Sequence, residues 1–330
     1  MPASPPDPAE RYRRGRVSRL GAALVGLAAF GFYGLLAAAS LGIVLAVWQI
    51  RLDPVAAVAG LLIGTIIAAF LSLRIGTRRV LSTLAAREVP KSRLPRVYAM
   101  LEDLAASMSI ESPRLLVARL ESPNAFALET GGQNTVVLDA SLFRLLDGPE
   151  LEALLAHELA HLERRDGFLG SIALALSQLV IVVLELVLSP AVFLLTGTAL
   201  CVAWSRGDPR SWSATLPGRI RGRIESGVAF VGMTVTLLIR AYARRREFGA
   251  DERAAEVTGR PLALASALTK IDRAAAPRFG SLSPVWTHGE VESEEERRLR
   301  QYVSTHPPTE DRVSRLQKLA ERSASEARGE

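Results

Sequence analysis

Two of the four histidines in this chain stand four residues apart with a glutamate beside the first. They are His157 and His161, flanking Glu158, in the segment Leu151 to Asp166, LEALLAHELAHLERRD. In a helix, residues i and i+4 share a face, so both imidazoles can bind one tetrahedral zinc ion. Glu158 is placed to hold a metal-bound water and take its proton. The spacing predicts a helix, with Pro149 suited to its first turn and Gly167 to its stop. With so few histidines, chance would produce the five-residue pattern with a probability of roughly 0.003.

The motif alone does not supply a third ligand. Downstream, Ala243 to Ala255 reads ARRREFGADERAA, which puts Glu247 and Asp251 at i and i+4. On one reading Glu247 completes a His2Glu site and Asp251, one turn on, holds a ligand histidine. On the other this is a solvated, salt-bridged helix, because Arg244, Arg245, Arg246 and Glu252 surround the pair. Spacing leaves both open. Asp166 can orient a ligand histidine or end its helix.

The elements that must position these residues are mostly apolar. Leu20 to Ile50 is 31 residues without a charge and Val55 to Leu73 another 19, each enough to cross a bilayer core of ~30 Å. Only Arg51-Leu52-Asp53-Pro54 separates them, so they form a helical hairpin. A cleaved signal peptide fits poorly, because the first apolar core is too long and a second span follows directly. Arg11, Arg13, Arg14, Arg16 and Arg19 precede the hairpin, and Arg74, Arg78, Arg79, Arg87, Lys91, Arg93 and Arg96 follow it. The positive-inside rule therefore puts both ends in the cytoplasm.

A third apolar stretch, Phe168 to Ser205, carries one charge, Glu185, and is expected to break at Ser189-Pro190. A shorter one runs from Ser226 to Ile239. If Glu247 is to reach His157 and His161, the chain between them must cross the membrane an even number of times. Of the runs Phe168 to Leu188, Ala191 to Trp204 and Ser226 to Ile239, one is then not a separate span, which gives four in all. Arg206, Arg210, Arg219, Arg221 and Arg223 would lie outside, against the positive-inside rule.

The expected organisation is a basic tail (1–19), a transmembrane hairpin (20–73), a first catalytic segment (74–167), a membrane region (168–242) and a second catalytic segment (243–330). Composition agrees: 49% of residues are hydrophobic while the formal net charge is +6, and the mean hydropathy is +0.20. That pairing excludes a disordered protein. Much of the basic charge flanks spans, so a nucleic-acid partner loses its support. A single cysteine, Cys201, excludes a disulfide framework and a cysteine-built zinc site.

In order along the chain stand the hairpin, Asn124-Ala125-Phe126-Ala127, His157 to His161 with Asp166, membrane segments, and Arg245-Arg246-Glu247-Phe248 with Asp251. A helix from Pro261 and Ser304-Thr305-His306-Pro307-Pro308 with Arg312 complete the series. This combination resembles the HtpX-like membrane metalloproteases, relatives of the CAAX prenyl proteases, over roughly residues 20 to 320. The resemblance implies a mainly α membrane protein with about four transmembrane helices and a cytoplasmic α+β zincin-like catalytic domain carrying a small β-hairpin or sheet. It implies one Zn2+ per chain, held by His157, His161 and Glu247, with Asp251 behind a ligand and Glu158 as catalytic base.

The strand carrying Asn124 would lie beside the cleft, where substrate backbone can pair with it, although Asn124 can equally cap the turn into a β-hairpin of Ser122 to Leu128 and Thr135 to Leu138. His306, held extended before two prolines, could contact an oxyanion or occupy the open zinc position, or be a packing residue. His288 has no counterpart in the family. The implied function is a zinc endopeptidase of the inner or cytoplasmic membrane, cleaving misfolded or damaged membrane proteins. Alternatives are a processing protease for a specific, for example lipidated, protein and a zinc-stabilised scaffold or chaperone. Cleavage within the membrane is disfavoured, because Glu163-Arg164-Arg165-Asp166 follow the motif directly.

Overall fold

The computed structural model describes residues 8–49, 53–130, 132–275 and 307–328. His288, His306 and the charge-dense stretch Glu290 to Val303, whose sequence predicts a helix, lie outside them. The helices are α1 (Pro8–Gln49), α2 (Pro54–Thr83), α3 (Pro95–Ser107), α4 (Leu142–Leu145), α5 (Gly148–Glu163), α6 (Asp166–Ser205), α7 (Leu216–Thr258), α8 (Pro261–Ala275) and α9 (Thr309–Arg328). The strands are β1 (Arg87–Glu88), β2 (Arg114–Ala118), β3 (Ala125–Thr130) and β4 (Gln133–Asp139). Among the described residues four helical stretches are long and apolar enough to cross a membrane: Arg19–Gln49, Val55–Thr83, Asp166–Ser205 and Leu216–Thr258. The count of four agrees with the parity argument.

The chain divides into two compact units, one comprising residues up to Thr65 with Leu176–Thr236, the other Ile66–Ala175 with Leu237–Glu330. In the first unit α1 and α6 approach closely at glycines. A Cβ on Gly26 would lie 2.9 Å from the Trp204 Cβ, and one on Gly197 would lie 2.8 Å from that of Tyr33. Small residues at such crossings let helix backbones meet where no hydrophobic effect drives association.

The expected break at Ser189-Pro190 does not occur, and α6 is continuous through Pro190. A proline inside a helix leaves the carbonyl four residues back without its donor. Here that carbonyl belongs to Leu186, and the Ser189 hydroxyl donates to it at 2.8 Å. The neighbouring hydroxyl replaces the missing N–H, as helices in lipid require.

The second unit holds the sheet, in the order β1-β2-β4-β3, with β2 and β4 parallel and the other pairs antiparallel. The expected hairpin is β3–β4. It closes with the pair Thr130 and Gln133, and Gly132 takes a φ of +87° that side chains avoid. One sheet face (Leu115, Ala125, Val136, Leu138) packs on α3 and α5, and the other (Leu116, Ala118, Val137) packs on Leu81, Leu84 and Phe126. Burial on both faces accounts for the unbroken apolar run Val136-Val137-Leu138.

Helix α5 begins at a capping box: the Glu150 N–H donates to the Asp147 side chain, and the Asp147 N–H donates to the Glu150 carboxylate, both at 2.9 Å. Glu150 also accepts from Ser266 and Lys270 of α8, each at 2.6 Å. Leu155 and Leu159 are fully buried on the core side, which turns His157 and His161 the other way. Each such leucine contributes ~1.5–3 kcal/mol. The stop is not at Gly167, which lies in the first turn of α6. Arg165 makes the corner with φ +52°, so Asp166 opens α6 directly beside the end of α5.

Candidate metal centre

The Nε2 atoms of His157 and His161 lie 3.3 Å apart. Glu247, from α7, presents Oε2 at 3.8 Å from the first and Oε1 at 3.6 Å from the second. Behind each imidazole stands a carboxylate: Asp251 Oδ1 is 3.0 Å from His157 Nδ1, and Asp166 Oδ2 is 2.8 Å from His161 Nδ1. A carboxylate at Nδ1 keeps the proton there, which fixes the tautomer and leaves each Nε2 lone pair facing its neighbour and Glu247. Two such lone pairs at this distance repel unless a cation lies between them. The donor set of two imidazole nitrogens and a carboxylate oxygen, drawn from within 4.8 Å, suits a metal ion of the zinc type.

Glu158 is 7% exposed and makes no hydrogen bond among the described residues. Burial pushes its carboxyl pKa up, outweighing the pull of His157 and His161. For His161, burial favours the neutral ring, but the hydrogen bond to Asp166 and the charges of Glu158 and Glu247 outweigh it and raise the pKa.

Arg312, on α9, was part of the family motif in the sequence but had no assigned role. It is buried, and its Nε and Nη2 donate to the two oxygens of Asp251 at 2.8 and 2.6 Å. Burial works against its charge, and Asp251, Glu247 and Glu158 together hold it protonated. Its Nη2 is nearly equidistant from the two His157 ring nitrogens, at 3.4 and 3.3 Å. A donor equidistant from both ring nitrogens lies off the in-plane axis of either, so this is a stacked contact and not a hydrogen bond to either. One guanidinium thus anchors the carboxylate that anchors a ligand candidate. Only its position after Ser304-Thr305-His306-Pro307-Pro308 could have marked it.

Of the residues expected at the site, six converge: His157, Glu158, His161, Asp166, Glu247 and Asp251. The solvated-helix reading of Glu247 and Asp251 does not hold, since they are 4% and 2% exposed. Asp166 both opens α6 and orients His161. Asn124 stands apart from these contacts, just before β3. Its Oδ1 accepts from the Ala125 N–H and its carbonyl accepts from the Asp139 N–H, each at 2.9 Å, so it shapes the entry to the strand.

Residues 91–320 match peptidase family M48. The chain belongs to that family. It is 34% identical over 264 residues to a protein described as a protease HtpX homolog from Thermococcus kodakarensis, covering 76% of this chain and 83% of the relative. A protease HtpX homolog from Aquifex aeolicus is 30% identical over 285 residues, 81% of this chain and 87% of its own. The crystal structure of S. mikatae Ste24p aligns with a TM-score of 0.46 at 15% identity, over 77% of this chain and 57% of that one. The protein is a multi-pass membrane metallopeptidase of family M48, and the His157, His161 and Glu247 cluster is where a metal can bind.

Proposed function

We propose that this M48 peptidase is a zinc-dependent endopeptidase that cleaves misfolded or damaged membrane proteins, with its site facing the cytoplasm. The observation that carries the reading is the convergence of three donor groups, His157 and Glu247 buried and His161 half-buried, beside an unengaged glutamate. His157, His161 and Glu247 would hold the zinc, with Asp251 and Asp166 fixing the two rings. A bound zinc supplies Lewis acidity and lowers the pKa of water at its open position. Glu158 then accepts the proton of the attacking water. Its burial makes the carboxylate a stronger base, and the same group returns the proton to the leaving amine. The outer edge of β3, which packs on α5, has no strand partner among the described residues and can align substrate backbone. The basic residues Arg74 and Arg79 in the last turns of α2, with Arg87 and Lys91 after it, support a cytoplasmic second unit.

The deciding experiment compares cleavage of an unfolded membrane protein by the wild type and Glu158→Gln, with zinc content measured in both. The expected result is retained zinc and activity lower by about 10²–10⁴-fold. Equal cleavage by the zinc-loaded variant would sink the mechanism. For orientation, a reporter fused after Arg210 is expected to read external. A cytoplasmic reading would remove the α6–α7 crossing.

A further inference from the structure

In the first unit a groove of about 400 Å³ lies between the middle of α6 and the start of α7, walled by aliphatic side chains and Phe193. Two carboxylates, Glu185 and Glu225, line it. Glu225 is engaged by Arg221 of its own helix, and that guanidinium sits 5.0 Å from the Trp212 ring centroid. Glu185 has no hydrogen-bond or ion-pair partner among the described residues, and its side chain is exposed. It is the one charge in the apolar stretch from Phe168 to Ser205, with exposed Val182, Val183, Leu186 and Val187 around it. A bare carboxylate against lipid is unfavourable, and such groups persist in spans where a partner meets them.

We propose that this groove docks a transmembrane segment carrying a lysine or arginine, whose charge pairs with Glu185, and thereby selects substrates within the bilayer. Two carboxylates against one guanidinium leave the groove with one uncompensated negative charge. That charge repels the phosphates of anionic lipid headgroups. It equally disfavours a second copy meeting the same face, which would set Glu185 against Glu185. The apolar walls suit a helix in lipid. An intramembrane basic residue normally has an acidic partner inside its own assembly, so an exposed one marks a subunit that is unassembled or misfolded. The proposal rests on the proteolytic reading above and adds a recognition chemistry to it.

The test uses the full-length, zinc-loaded protein in vesicles with single-span substrates that share one cleavable segment and differ only in a central Lys, Leu or Glu within the span. A water-soluble polypeptide with the same cleavable segment is the control. Wild type is expected to cleave the Lys substrate with about 10-fold higher kcat/KM than the Leu substrate, worth ~1.4 kcal/mol. Glu185→Gln should abolish that preference while cleaving the soluble control at the wild-type rate, and Glu185→Lys should shift preference to the Glu span.

Docking is read separately in the inactive Glu158→Gln protein, by energy transfer between a label near Val228 and labelled spans. This measurement stands even if no substrate is cleaved, which would refute the proteolytic reading alone. Equal docking of the Lys and Leu spans overturns the groove proposal. So do a preference that survives Glu185→Gln, loss of soluble-control cleavage in that variant, and energy transfer from the groove label only to labelled lipid or to a labelled second copy.

Discussion

Asp251 serves two partners at once, accepting both donors of Arg312 while holding His157 by its Nδ1. Removing the guanidinium would leave a buried carboxylate uncompensated, a change that typically costs about 3–5 kcal/mol. Arg312→Ala is therefore expected to lower the Tm of the zinc-loaded protein clearly and to weaken zinc binding. A thermal melt with a parallel chelator titration checks both. Asp166 stands behind the other ligand candidate, His161, by the same logic, and its arginine neighbour, Arg246, is less buried than Arg312. Asp166→Asn should keep the fold and weaken zinc affinity by about 10–100-fold in chelator competition.

At this scale the sequence announced His157, Glu158 and His161 by spacing alone, because ligands one helical turn apart share a face in any helix. Glu247 and Asp251 had the right spacing, but their burial could not be read from neighbours that are all charged. Arg312 gave no local signal, since its partner lies 61 residues away.

Among the elements, α5 depends most on its start. Glu150 caps the helix and is clamped to α8 by Lys270 and Ser266. Burial opposes its charge, but the bonds from Lys270, Ser266 and the Asp147 N–H prevail and lower its pKa from the usual carboxylate value. A carboxyl lowered in the fold contributes stability above its unfolded pKa and loses it as pH falls through the folded one. The Tm of the wild type should therefore drop as pH falls below about 4.5. Glu150→Gln should start lower at pH 7 and show a shallower decline, as a pH series of thermal melts would show.

The ends of elements were the least legible. Gly167 was a reasonable helix stop by composition, yet Arg165 makes the corner, because only an immediate turn lets Asp166 reach His161. Ser189-Pro190 reads as a breaker until the serine hydroxyl is seen to serve the Leu186 carbonyl.

For the molecule as a whole, the hydropathy pattern carried furthest. Long runs with at most one charge are a direct consequence of bilayer thickness and mark three of the four membrane-capable helices, whereas the fourth, α7, holds an apolar run of only 14 residues from Ser226 to Ile239. The even number of crossings was likewise forced by bringing Glu247 to the histidines. The sheet was only half visible: the β3–β4 hairpin is local and its turn residues show it, whereas the parallel pairing of β2 with β4 joins segments separated by the whole of β3. The division into units, each assembled from two distant stretches, follows from packing that no local pattern encodes.

The position of Arg312 on α9 also sets an order in time. A ribosome adding ~5–20 residues per second delivers that side chain seconds after Asp251, which it follows by 61 residues. Until then the carboxylates around His157 lack their counter-charge and α8 lacks α9 to pack on. A nascent chain is therefore unfinished as a peptidase until residue 312 has been added, and a protein truncated before residue 307 should accumulate as an inert fragment.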